Sequence, residues 1–138
     1  MKKRVLFICT HNSARSQMAE GLMNALPGNH YEACSAGTEP SQVNPYAIKS
    51  MSEIDIDIST NRSKNIHEFN GMELDYISTV CDSAKERCRV FPGGGKHIHK
   101  AFADPSRTEG SDDQKLMAFR MVRDEIRDWI QENFQSVK

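Results

Sequence analysis

Apolar residues follow two rhythms along this chain. Val5-Leu6-Phe7-Ile8 is a short unbroken apolar run, β-branched at both ends, and predicts a buried strand. From Ser13 onward, Met18, Ala19, Leu22, Met23 and Leu26 recur at helical spacing until Pro27-Gly28 stops the pattern. Tyr31 to Ala36 predicts a second strand ending at Gly37. Asn44 then reads as an N-cap and Pro45 as the first residue of a helix through about Met51. Ile54, Ile56 and Ile58 alternate with Asp55 and Asp57, which predicts a short extended segment, followed by a brief helix near Ile66–Phe69. Leu74 to Val80 predicts a third strand that ends at Cys81, and a Gly-rich turn, Pro92 to Gly95, precedes a fourth from Ile98 to Phe102. The last helix is predicted from about Asp112 to Phe134. Its stripe of Leu116, Phe119, Val122, Ile126, Trp129, Ile130 and Phe134 reads as core packing.

Strands alternating with helices predict a parallel sheet covered by helices on both faces. In such sheets ligands bind beyond the carboxyl ends of the strands, and Cys9 and Cys81 both fall there. A length of 138 residues fits one domain spanning 1–138. Hydrophobic content of 38% and the lack of any long apolar stretch exclude a membrane span. A net charge of -1, with both signs interspersed, gives no electrostatic case for nucleic acid. The basic start at Lys2-Lys3-Arg4 is followed by too short an apolar run for a signal peptide. Four cysteines in such a chain point to a reducing cytoplasm, where thiols are more often catalytic or metal-binding than disulfide-bonded.

The chemistry concentrates in Cys9-Thr10-His11-Asn12-Ser13-Ala14-Arg15-Ser16, between the first strand and the first helix. A loop in this position can wrap backbone N–H groups around an anion, helped by the positive end of the helix dipole. Arg15 adds a planar fork of donors matched to two oxyanion oxygens. Cysteines at helix N-termini beside cations have pKa values of about 3.5–7.5, so the same field favours a thiolate. Cys9 is therefore expected to attack the central atom of a bound oxyanion, with the Ser16 hydroxyl within reach of its sulfur. The alternative for Cys9 is a small hydrophobe at a strand end. His11 is read as either a hydrogen-bonding or a loop-shaping residue, and Cys34 as a core thiol.

Cys81 and Cys88 stand six residues apart in a polar, turn-prone stretch. Adding His97 and His99 gives no recognised zinc spacing, so no metal is expected. Three thiols in one site instead suggest a redox relay. If Cys9 holds a covalent oxyanion, a second thiol attacking that sulfur expels a product reduced by two electrons and leaves a disulfide. Arsenate can follow this path because arsenic(V) is readily reduced, and phosphate cannot. A third thiol then moves the disulfide away by exchange. Cys81 as the second and Cys88 as the third suit the segment between them. Asp104, before Pro105 near the same sheet edge, is a candidate general acid, or else a solvated turn residue.

Several motifs together resemble the thioredoxin-coupled arsenate reductases, the branch built on the low-molecular-weight protein tyrosine phosphatase fold. They are Cys9 to Gly21, Ser35-Ala36-Gly37, Asn44-Pro45-Tyr46-Ala47, Asp57-Ile58-Ser59, Cys81 to Cys88, Phe102 to Pro105 and Phe119 to Ile126, which span nearly the whole chain. The resemblance implies a four-stranded parallel sheet with flanking helices. It also implies Cys9 as nucleophile, Arg15 and Ser16 supporting it, Cys81 and Cys88 as the relay, and Asp104 as acid. Thioredoxin is the implied electron donor, with no bound redox cofactor, and a monomer is expected. Two departures stand out. Arg89 follows the third cysteine where the family often has proline, and Gly93-Gly94-Gly95 is unusual. Some relatives bind a structural potassium ion, and Asn12, Glu20 and Ser35 match positions used there. Lys64 stands where those relatives carry a carboxylate, which puts potassium in doubt.

Two other functions compete. A phosphatase acting on phosphotyrosine or a small phosphate ester needs only Cys9, Arg15 and Asp104. Ser106-Arg107-Thr108 supplies none of the aromatic residues that tyrosine-specific members tend to carry after the Asp-Pro. A non-catalytic oxyanion- or metal-responsive binding protein would leave the activated cysteine and the candidate acid unexplained.

Overall fold

The computed structural model describes residues 3–26, 30–81 and 95–134. Four strands, β1 (Lys3–Cys9), β2 (Tyr31–Gly37), β3 (Tyr76–Thr79) and β4 (Lys96–His99), form one sheet in the order β2-β1-β3-β4, with every pair parallel. Three α-helices accompany them among the described residues: α1 (Arg15–Asn24), α2 (Pro45–Ser52) and α3 (Asp112–Asn133). Two 3₁₀ turns lie at Ile66–Phe69 and Pro105–Arg107. This is the parallel, helix-flanked architecture that the alternating pattern predicts.

β1 is the centre of the sheet because its run Val5 to Ile8 can be buried on both sides. All four residues are fully buried, although Val5 and Phe7 point to one face and Leu6 and Ile8 to the other. On the first face Phe134, at the end of α3, gathers rings from three strands. It meets Tyr31 edge-on at 5.3 Å, Tyr76 at 5.8 Å and Phe7 at 6.4 Å, with Trp129 of its own helix at 5.7 Å. The register explains the meeting, since Tyr31 lies opposite Lys3 and Tyr76 opposite Val5, all turned to the same face. The apolar stripe of α3 is thus core packing, as its spacing indicates.

Local chemistry sets the helix ends. Asn44 caps α2 by accepting the Tyr46 N–H at 2.8 Å, with Pro45 first in the helix. Ser111 and Gln114 cap α3 reciprocally, the Ser111 N–H donating to Gln114 Oε1 at 2.8 Å and the Gln114 N–H to Ser111 Oγ at 3.2 Å. α1 begins differently, with Ala14 at its N-cap and no side-chain cap.

Three predicted segments end up elsewhere. The extended segment predicted over Ile54–Ile58 opens on a turn. Asp55 takes a left-handed φ of 64°, and the N–H groups of Asp55 and Ile56 turn back to Ser52 and Met51 at 3.0 and 3.1 Å. The alternation is kept in burial, with Ile54 and Ile56 packed against the core, Ile58 inside it, and Asp55 and Asp57 exposed. β4 starts at Lys96, two residues before the predicted start. The Lys96 N–H reaches Asp75 O at 3.0 Å, and Gly95 allows the approach, since a Cβ there would lie 2.4 Å from that oxygen. α1 starts at Arg15, not Ser13, because residues 10–14 belong to the loop. It ends at Asn24, whose side-chain amide takes the N–H and C=O of Ala33 on the outer strand β2 at 2.9 and 3.1 Å.

Candidate active site

The loop from Thr10 to Ala14 is held from outside by its carbonyl groups. Thr10 O accepts the Glu39 N–H at 2.7 Å. His11 O accepts the Ser41 N–H at 3.2 Å and the Ser63 hydroxyl at 2.7 Å. Asn12 O accepts Gln17 Nε2 at 3.2 Å, Ser13 O the Asn44 N–H at 2.9 Å, and Ala14 O the Met18 N–H at 2.8 Å. In a trans peptide the C=O of one residue and the N–H of the next point in opposite directions. Five successive carbonyls turned into the protein therefore turn the N–H groups of His11 to Arg15 towards the inside of the loop. That is a ring of donors at the uncapped N-terminus of α1, where the helix dipole also favours an anion.

Two backbone features make the bend possible. Asn12, fully buried, takes a left-handed φ of 49°. Gly37, at the end of β2, lies so close beneath the loop that a Cβ would meet Thr10 O at 2.6 Å and Asn12 N at 2.8 Å. The Asn12 side chain also has an enforced orientation. Its Oδ1 accepts the Lys64 N–H at 2.8 Å and Gln17 Nε2 at 2.9 Å, so its Nδ2 is the donor to Ser16 Oγ at 2.8 Å. With that oxygen already accepting, the Ser16 hydroxyl is free to donate to Cys9 Sγ, 2.8 Å away.

The loop, Cys9 and the turn after the fourth strand enclose a pocket lined by Cys9, His11, Ser13, Arg15, Asp104 and Ser106, among others. Arg15 is turned by its Nη1, which donates to Phe102 O at 3.1 Å, while Nη2 lies 3.5 Å from Asp104 Oδ2. Burial raises the pKa of Asp104, but the Ser106 hydroxyl and N–H and the charges of Arg15 and Arg107 outweigh it and hold the carboxyl below its ordinary value. Cys81, free and buried at the end of β3, touches the loop itself: its Sγ is 3.4 Å from Thr10 Oγ1. Topology thus brings Cys81 beside the residue that follows Cys9. His11 shapes the loop, its Nδ1 bonding to Glu39 O at 2.9 Å. Cys34 faces away on β2, where burial and the charge of Glu20 push its thiol up to about 12. Cys88 and the Gly93-Gly94 turn lie outside the described residues.

Behind the loop, Glu20 accepts the Ser35 hydroxyl on Oε1 at 2.8 Å and Asn61 Nδ2 on Oε2 at 3.0 Å. Lys64 Nζ stands 3.9 Å from Glu20 Oε1 and donates to Arg62 O at 3.0 Å. The positive charge beside Glu20 is thus the chain's own. Among the described residues no cluster of His, Cys, Asp and Glu gathers as a metal site. The loop's supports Glu39, Ser41, Asn61 and Ser63 carried no motif of their own, and act mostly through backbone atoms or single polar bonds.

Comparison with known proteins agrees with this geometry. The model of the low molecular weight phosphotyrosine protein phosphatase family matches residues 4–138. An arsenate reductase of Oceanobacillus iheyensis is 41% identical over 129 residues, covering 94% of this chain and 93% of that protein. Among solved structures, a low molecular weight protein tyrosine phosphatase from T. tengcongensis superposes with a TM-score of 0.83 at 25% identity, covering 99% of this chain and 100% of the other. A thioredoxin-dependent arsenate reductase of Corynebacterium glutamicum gives a TM-score of 0.64 at 25% identity, covering 95% of this chain and 61% of the other. The chain belongs to the low molecular weight phosphotyrosine protein phosphatase family, alongside relatives that are arsenate reductases.

Proposed function

We propose that the protein reduces arsenate to arsenite, with Cys9 as nucleophile and thioredoxin as the source of electrons. The observation that carries the reading is the ring of N–H groups over residues 11–15, set against Cys9 and Arg15 with a further thiol, Cys81, at its edge. Arsenate sits in the loop with its oxygens on these donors and on the Arg15 guanidinium. Cys9 attacks arsenic, an S–As bond forms, and one oxygen leaves as water. Cys81 then attacks the Cys9 sulfur. The electron pair of the S–As bond passes to arsenic, which departs as arsenite, and a Cys9–Cys81 disulfide remains. Cys88 attacks Cys81, releases Cys9 and carries the disulfide outward, where a thioredoxin dithiol reduces it. The balance is two electrons from thioredoxin for one arsenate reduced and one water formed. The 41% identity to an arsenate reductase and the likeness to a thioredoxin-dependent one support this reading.

The same reading assigns the protein to a reducing cytoplasm and treats it as a monomer; no described helix is long and apolar enough to cross a membrane. It needs no bound redox cofactor. A structural potassium ion does not fit the residues behind the loop, because the Lys64 ammonium already lies beside Glu20. Equal melting temperatures in KCl and NaCl would support this, and a potassium-specific rise would contradict it. A phosphatase is the second reading, supported by the family match. It leaves Cys81 without a task.

The test is arsenate-dependent NADPH oxidation with thioredoxin and thioredoxin reductase. Turnover that collapses in Cys88→Ser, while a single arsenite is still released, supports the relay. Steady hydrolysis of an aryl phosphate without any arsenate turnover would select the phosphatase.

A further inference from the structure

We propose that Ser106 is a positioning residue that holds Asp104 as a carboxylate turned towards Arg15, and so sets this pocket against the hydrolysis of phosphate esters. The inference rests on the arsenate reading for its purpose, though not for its test. Asp104 Oδ1 accepts two donors from Ser106, the backbone N–H at 3.0 Å and the hydroxyl at 2.6 Å. Its Oδ2 faces Arg15 Nη2 at 3.5 Å and Arg107 Nε at 3.8 Å. Cys9 and His11 line the same pocket from the loop side. α3 also packs on this turn, but its Asp112 is engaged elsewhere, by the Tyr46 hydroxyl at 2.6 Å.

Among the described residues, both carboxylate oxygens are therefore met by donors. A proton on Oδ1 would face the fixed N–H of Ser106, and one on Oδ2 would face two guanidinium groups. Arg107 is held loosely at the surface, and the Ser106 hydroxyl is the nearest donor that can turn away. An alanine there removes it while the backbone N–H stays.

Esters and arsenate ask different things of Asp104. When Cys9 attacks a phosphate ester, the S–P bond forms and the ester P–O bond breaks. The departing alkoxide or phenoxide then needs a proton, and Asp104 must carry it beforehand. Arsenate brings acidic hydroxyls of its own, so its departing oxygen depends less on a protonated Asp104. Holding Asp104 ionised costs ester cleavage more than arsenate attack, which makes Ser106 a determinant of specificity.

The experiment is a carboxyl ¹³C titration of Asp104 in the full-length reduced protein, wild type against Ser106→Ala and Ser106→Thr, together with phenyl phosphate hydrolysis. Loss of one hydrogen bond to the charged form should raise the Asp104 midpoint in Ser106→Ala by about half a unit to one unit. Ser106→Thr, which keeps the hydroxyl, should restore it. Phenyl phosphate hydrolysis at neutral pH should rise about threefold or more in Ser106→Ala, following the added protonated fraction. An unmoved midpoint, or a raised midpoint with no rise in hydrolysis, overturns the proposal. The titration reads the same whether or not arsenate is reduced, so failure of the redox relay is told apart from failure of this inference.

Discussion

The N-termini of α1 and α3 solve the same problem in opposite ways. α3 opens with Ser111 and Gln114 exchanging hydrogen bonds, and with Asp112 and Asp113 in its first turn, so its donors and its dipole are satisfied from within the chain. α1 opens with Ala14, without a cap and with no acidic residue in its first turn. A cap is worth about 1 kcal/mol, and serine would be a common choice at such a position. The chain forgoes that stabilisation at α1 and spends many contacts on holding the preceding loop by its carbonyls. The difference leaves the N-terminus of α1 open towards the pocket, where the arsenate reading places the oxyanion.

This contrast can be broken most severely at Arg15. Arg15→Lys keeps a charge but loses the planar fork, and arsenate turnover should fall by about 10²–10³-fold while the melting temperature stays close to wild type. Gly37→Ala comes next. A methyl group pressed against Thr10 O and Asn12 N should cost about 1–3 kcal/mol, and should also abolish the rise in melting temperature that phosphate gives the wild type. Retained phosphate stabilisation in that variant would mean that the loop does not depend on the close approach. Ser111→Ala sharpens the comparison from the other side. It should cost about 1 kcal/mol in denaturant unfolding and leave arsenate turnover unchanged, because the α3 end has a structural task only.

The smallest effect concerns acid. The Asp104 pKa is lowered in the folded protein, so its contribution is present at neutral pH. It is lost as pH falls below the ordinary carboxyl value and through the depressed folded one. Asp104→Asn should therefore flatten the loss of stability below about pH 4, by about 0.5 kcal/mol or less, in urea melts across that range. An unaltered acid limb would mean that Arg15 and Ser106 do not stabilise the charged carboxyl.

What could be seen in the sequence follows the same division between local and distant causes. Cys9, Arg15 and Ser16 were legible because a strand, a loop and a helix succeed one another within a few residues, and the chemistry needs that order. The capping of α2 by Asn44 and the apolar stripe of α3 were legible for the same reason. Cys81 and Asp104 were placed by topology, since parallel strands bring their carboxyl ends to one edge. The groups that hold the loop were not legible. Glu39, Ser41 and Ser63 lie roughly 30–50 residues away and act through backbone atoms or one hydroxyl, so residue type carries no signal. The turn at Asp55 and the early start of β4 were missed because each depends on one local backbone arrangement, a left-handed φ and a close approach at Gly95, that hydrophobic spacing does not encode.

The most direct test of the account is one turnover. Fully reduced protein is mixed with an excess of arsenate and no thioredoxin, arsenite is quantified, and the resulting disulfide is mapped by mass spectrometry. One arsenite per chain, a Cys81–Cys88 disulfide and a free Cys9 are expected, with no arsenite from Cys9→Ser. Arsenite released by Cys9→Ser, or a wild type that binds arsenate and forms neither arsenite nor disulfide, would contradict it.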